Sequence, residues 1–134
     1  MASRTGQRTF NFSLVVPTDK AEEVEKGLAD HGNWMRETHS LVVKADPTYG
    51  MLGTLVDYYI SKAPELNNPL DPSEGTTGNI LYTLNEVYTA IAGTEAHLAA
   101  TPFTDPWFEP FLASFMTSQP RMLMHGEIIQ SMEM

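Results

Sequence analysis

Residues 78–115 read GNILYTLNEVYTAIAGTEAHLAATPFTDPWFEPFLASF, and this stretch joins the chain's clearest strand to its clearest helix. Ile80, Tyr82, Leu84, Glu86 and Tyr88 fall on one face of an extended strand, and Leu81, Thr83, Asn85 and Val87 fall on the other. Both faces are largely apolar, as expected of a strand that is central in its sheet and covered on both sides. The period then changes. Ala90 to Ala100 holds helix formers and small residues, with Thr89 placed to cap them. Gly93 inside this helix costs about 1 kcal/mol relative to Ala. Its missing side chain lets the helix lie close to the sheet.

Upstream, residues 1–8 are polar and expected to be loosely held. Phe10, Phe12, Leu14 and Val16 alternate with Asn11, Ser13 and Val15 as a first strand that ends at Pro17. Thr18 or Asp19 can cap a helix in which Ala21, Val24, Leu28, His31 and Met35 form the inward stripe, with Trp34 beside it. The helix should fade near His39, and Leu41–Lys44 reads as its last turn or a short extended piece. Asp46-Pro47 and Tyr49-Gly50 are turn signals. A second strand is expected over Gly53–Lys62, where Leu55, Asp57, Tyr59 and Ser61 oppose Val56, Tyr58 and Ile60. Residues 64–77, rich in Pro, Asn and Gly, read as a long loop. Downstream, a helix begins near Asp105-Pro106 or Glu109 and presents Phe108, Phe111, Leu112 and Phe115 on one face. Arg121 to Met132 reads as a fourth strand.

The resulting order, βαββαβ, is α+β and ferredoxin-like, a four-stranded antiparallel sheet with helices on one face. With 134 residues the chain suits a single domain. The second sheet face needs cover, and a homodimer is the expected way to supply it. Seventeen acidic against eight basic residues give a net charge of −9, which argues against nucleic acid or an anionic membrane as a partner. No apolar run approaches the roughly 20 residues of a membrane span, and the first ten residues lack an apolar signal core, so a cytoplasmic protein is expected. Without cysteine, thiolate catalysis, disulfides and thiolate metal sites are excluded.

Glu86, Val87, Tyr88, Ala96, His97, Leu98, Thr101 and Pro102 stand at the spacings of a strand ending in Glu-Val-aromatic, a short helix with Ala-His, and a small-Pro-aromatic step. In this the chain resembles the antibiotic biosynthesis monooxygenase family of the dimeric α/β barrel superfamily. The resemblance implies a homodimer whose sheets pack into a barrel, with a pocket between each sheet and its helices. It also implies oxygenation of a small aromatic or polycyclic substrate by O₂ with no metal or flavin cofactor. Two departures stand out: Phe103 occupies the region where the family often has a second His, and the 64–77 loop exceeds the usual hairpin. Haem-degrading relatives carry an axial His near Phe103–Asp105, where this chain has none, so a haem-binding reading is weak.

His97 is the sharpest catalytic candidate, because imidazole titrates near neutral pH. Its plain alternative is a structural His satisfied by backbone or Glu86. Glu86 and Tyr82 are the further catalytic candidates, and Tyr88 shares their face; a salt bridge and core packing are the structural alternatives. Trp107 and Phe103 can wall a flat ligand, while Phe108, Phe111 and Phe115 read as core. His31 and Trp34 can face the same pocket from the first helix, although a lone His on an apolar stripe is more often a satisfied core residue. Asn11 can orient a ligand oxygen or simply face outward. His125 and Glu127 share a strand face without a third ligand, so no metal site is expected. The functional expectation is a monooxygenase of quinol or anthrone type; the alternative is a non-catalytic dimeric ligand-binding or stress-related protein of the same fold.

Overall fold

A computed structural model of the chain describes residues 4–42 and 54–132. Strand β1 runs Arg8–Pro17, helix α1 Ala21–Thr38, strands β2 Leu55–Leu66 and β3 Thr76–Tyr88, helices α2 Ile91–Ala99 and α3 Phe108–Met116, and strand β4 Arg121–Glu127. The four strands pair in the order β2-β3-β1-β4, all antiparallel. This is the expected ferredoxin-like arrangement with β3 inside the sheet. No helix among the described residues is long and apolar enough to cross a membrane.

Strand alternation sends Phe10, Phe12, Leu14 and Val16 of β1, and Tyr82, Leu84, Glu86 and Tyr88 of β3, to one buried face. Helix α1 lays Val24, Leu28, His31, Trp34 and Met35 on that face. Helix α3 packs beside it, with Phe111 approaching the bare backbone of Gly27. Helix α2 lies closer still. A Cβ at Gly93 would fall 2.9 Å from the Tyr88 side chain, so glycine lets the helix seat directly on the end of β3. This is the reason anticipated for tolerating glycine there.

Several local expectations are corrected. The expected caps do not form: neither Lys20 before α1 nor Ala90 before α2 makes a side-chain cap hydrogen bond, and Thr18–Lys20 form a separate 3-10 turn. The 64–77 loop is shorter than expected, because β2 continues to Leu66 and β3 starts at Thr76. Pro64 is tolerated because β2 is an edge strand, where a missing N–H leaves no ladder bond unmade. The turn between them is held by its own side chains, with Asn67 Nδ2 donating to the Glu74 and Thr76 carbonyls and Asp71 Oδ1 accepting from Ser73 N. β4 ends at Glu127 rather than Met132. A bulge opposite Phe10 interrupts its pairing with β1, His125 takes a positive φ of 56°, and Gly126 is pressed against Thr9. Leu41, past the end of α1, makes an isolated bridge to Leu55, and residues 43 and 44 of that stretch lie outside the described residues. The turn signals at Asp46-Pro47 and Tyr49-Gly50 lie outside the described residues.

Candidate active site

At one end of the buried face, strand alternation that should deliver an apolar residue delivers Glu86, with no exposed surface. Three histidines surround it. His31 comes from the middle of α1, His39 from its C-terminal end and His97 from α2. Tyr88, two residues along β3, donates its hydroxyl to Glu86 Oε1 at 2.5 Å. His97 Nδ1 lies 3.0 Å from the Tyr88 hydroxyl, 3.4 Å from Glu86 Oε1 and 3.2 Å from His39 Nε2. On the other side His31 Nε2 is 4.0 Å from Glu86 Oε2, and His31 Nδ1 is 3.0 Å from the Tyr58 hydroxyl of β2.

The hydrogen bonds fix the protons. Thr38 Oγ1 donates to the Trp34 carbonyl at 2.6 Å, so its oxygen must accept from His39 Nδ1 at 2.9 Å. His39, neutral and protonated on Nδ1, then offers Nε2 as an acceptor. His97 answers with Nδ1–H, and its own Nε2 keeps a lone pair with no hydrogen-bond partner among the described residues. His97 is held in place from behind as well. Thr94 of α2 donates to the Ile91 carbonyl and accepts from His125 Nδ1 of β4, which ties the helix to the sheet edge.

Burial keeps the whole cluster uncharged. It pushes the Glu86 carboxyl up to about 8, with the Tyr88 hydrogen bond pulling the other way. It lowers His31 and His39 to about 4 each and His97 to about 3, helped at His97 by the neighbouring His39 and His31. Tyr58 and Tyr88 are raised well above the usual phenol range, first by burial and then by the Glu86 charge. Near neutral pH the site is therefore a carboxylic acid among neutral imidazoles. Glu86 Oε2 is left without a hydrogen-bond partner among the described residues.

His31 and His97 form the polar end of a cavity of about 250 Å³ between the sheet and the helices. Its walls are Phe10 and Phe12 of β1, Trp34 of α1, and Trp107, Phe108 and Phe111 at α3. Phe103, 74% exposed, stands at the rim. Residues 64–77 do not line the cavity, so the hairpin does not shape its mouth.

Of the sequence candidates, the fold brings His97, Glu86, Tyr88, His31 and Trp34 together, with Trp107 and Phe103 on the cavity wall. Phe108, Phe111 and Phe115, read as core, also line it. Two candidates fall elsewhere. Tyr82 shares the buried strand face, but its hydroxyl reaches the outer end of α1 and donates to Glu25 Oε2 at 2.7 Å, where Lys62 also binds. Asn11 alternates to the opposite sheet face, and its side chain accepts from Glu86 N at 3.3 Å. His39 and Tyr58 were not singled out from sequence. The step 31, 35, 39 continues the inward stripe of α1 and is the signal that would have found His39.

The fold and cavity define a ferredoxin-like α+β domain with an aromatic-walled pocket ending in a buried His/Glu/Tyr cluster. Among solved structures, the chain is similar to one described as "Putative antibiotic biosynthesis monooxygenase from Nitrosomonas europaea", with a TM-score of 0.51 and 11% identity over 98% of this chain and 99% of that one. A second, of the same description from "Bacteriodes thetaiotaomicron VPI-5482", has a TM-score of 0.43 and 13% identity over 96% of each chain. No family model and no curated protein matches the sequence. The first likeness shows the shared fold.

Proposed function

We infer that the protein is a monooxygenase of the quinol or anthrone type, acting on a small aromatic substrate with O₂ and needing no cofactor. The observation that carries this reading is the unpartnered Nε2 of His97, held as a lone pair at the polar end of an aromatic cavity. A flat substrate stacks between Trp34, Trp107 and Phe111 and points its acidic O–H or C–H at His97. Nε2 takes the proton, and the imidazolium forms beside the substrate anion and 3.4 Å from Glu86 Oε1. An ion pair of this kind is favoured over separated charges in so apolar a cavity. The substrates that fit this chemistry carry an acidic O–H or C–H, such as phenols and the doubly activated methylene of an anthrone. The anion supplies the electrons: a CH₂ group and O₂ give C=O and H₂O, with one oxygen atom kept and the other reduced to water.

The opposite sheet face supports a homodimer, since Tyr59, Leu81 and Leu123 leave apolar surface exposed there. Light scattering should give twice the mass of one chain.

The activity is tested by O₂ uptake with a panel of hydroquinones, naphthols and anthrones, using chelator-treated protein. Uptake that His97→Gln abolishes supports the reading. Saturable ligand binding without uptake would replace it with the non-catalytic binding protein.

A further inference from the structure

Glu86, His31 and His97 come from three different elements, yet one donor atom of each lies within 4.8 Å of the other two. All three side chains are buried. Their hydrogen bonds leave one donor apiece uncommitted. Glu86 Oε1 is taken by Tyr88 and Oε2 has no partner. His97 Nδ1 is committed to His39 and Tyr88, which leaves Nε2. His31 Nδ1 is on the Tyr58 hydroxyl, and in the tautomer that donates there Nε2 is free and 4.0 Å from Glu86 Oε2. Ligating histidines are characteristically held this way, by a hydrogen bond from the other ring nitrogen.

We propose that His31 Nε2, Glu86 Oε2 and His97 Nε2 form a binding site for a divalent first-row transition-metal ion, open on the side that faces the aromatic cavity. Two imidazoles and one carboxylate select such an ion over Mg²⁺ or Ca²⁺, which prefer oxygen donors. Ligand bonds of about 2.0–2.2 Å ask the donors to close to roughly 3–3.5 Å, from 4.0 Å between His31 Nε2 and Glu86 Oε2 and from within 4.8 Å over the set. The site therefore tightens by up to about 1.8 Å when it binds, with the His97 ring turning its Nε2 toward the ion. The cation also resolves the electrostatics of the cluster. It provides the buried carboxylate with a counter-charge, displaces the proton and satisfies the orphaned Oε2. Two of the three ligands, His31 and His97, also line the aromatic cavity.

This site stands on geometry independently of the oxygenase reading, and its test reads binding rather than turnover. Chelator-treated protein is titrated with Co²⁺ while the visible d–d bands and bound stoichiometry are followed, then challenged with Zn²⁺. One equivalent of Co²⁺ should bind with intense low-symmetry bands that Zn²⁺ removes. Glu86→Gln, nearly isosteric, and His31→Ala should each weaken binding by at least about tenfold, and His39→Ala, which acts through His97, should weaken it by about 10–100-fold. Tyr82→Phe should change nothing. Absence of saturable binding, or equal affinity in Glu86→Gln and His31→Ala, overturns the proposal. The two readings separate in the same samples. Co²⁺ takes the lone pair the base uses, so O₂ uptake should fall as the bands grow; a metal-free protein that takes up no O₂ would defeat the oxygenase reading while the spectrum alone decides the metal site.

Discussion

The two ends of the helix-covered sheet face are built from the same strands and are chemically unlike. At one end Phe12, Leu14, Val16, Val24, Leu28 and Leu84 form an apolar core, and the single polar tip, the Tyr82 hydroxyl, escapes to Glu25 at the surface. At the other end Phe10, Trp34, Met35, Leu55 and Tyr88 enclose Glu86 and the three histidines, and the Tyr88 hydroxyl turns inward to Glu86. Only three residues of β3 separate Leu84 from Tyr88, but one end has surrendered apolar packing for a buried polar cluster. Burying a carboxyl with one oxygen unpaired costs stability. The proposed chemistry belongs to the end that carries this cost, and the other end supplies cohesion.

The largest effect should come from the chemical end. His97→Gln should lower O₂ uptake by about 100-fold or more, the range of general-base removal, while circular dichroism shows the fold retained. Equal loss of fold and activity would make His97 structural. At the cohesive end, Leu84→Ala should cost about 2–5 kcal/mol in urea denaturation, since its side chain is fully buried, with uptake per folded molecule little changed. A comparable activity loss would show that the two ends are not separable.

The charge state of the cluster gives the next effect. His31, His39 and His97 are depressed on folding, so between about pH 6.5 and 4 the unfolded chain binds their protons first and stability falls as pH falls. Glu86 is raised to about 8, so over pH 4.5–8 the folded chain holds its proton and stability falls as pH rises. In the overlap three protons oppose one, leaving a net of just under two and a slope of about 2.5 kcal/mol per pH unit near pH 5.5. The urea midpoint should therefore peak near pH 7, and Glu86→Gln should remove the alkaline decline while leaving the acid limb. A midpoint that rises steadily to pH 8.5 would mean Glu86 is ionised in the fold. The smallest effect belongs to Tyr82→Phe. It removes a hydrogen bond to an exposed carboxylate and should change stability by at most about 1 kcal/mol and uptake not at all.

Much of this architecture was legible in the sequence because it rests on period. The two-residue alternation of residues 80–88 put Glu86 and Tyr88 on one face with Tyr82, with both faces largely apolar and the choice of buried face left to the family resemblance, and the three- and four-residue steps of α1 turned His31 inward. What periodicity could not show is where a side chain ends. Tyr82 has the same facing as Tyr88, but its hydroxyl meets the outer end of α1 instead of the cluster, a matter of position along the helix. The bulge in β4 likewise broke an alternation that sequence would have continued, and turned His125 to hold Thr94. The meeting of His31, His39, Glu86 and His97 is a property of the packed layers. No spacing along the chain encodes it, so a three-donor cluster was not expected from the sequence.

The account depends most on which nitrogen of His97 carries the proton. Long-range ¹H–¹⁵N correlation of the histidine rings reads this directly, with His97→Gln and His39→Gln assigning the signals. The predicted result is a neutral His97 with Nδ1 protonated and Nε2 bare, and His39 in the same tautomer, both unchanged from pH 7.5 to 5.5. A proton on His97 Nε2, or an imidazolium at neutral pH, would contradict the lone pair on which both the proposed base and the proposed metal site depend.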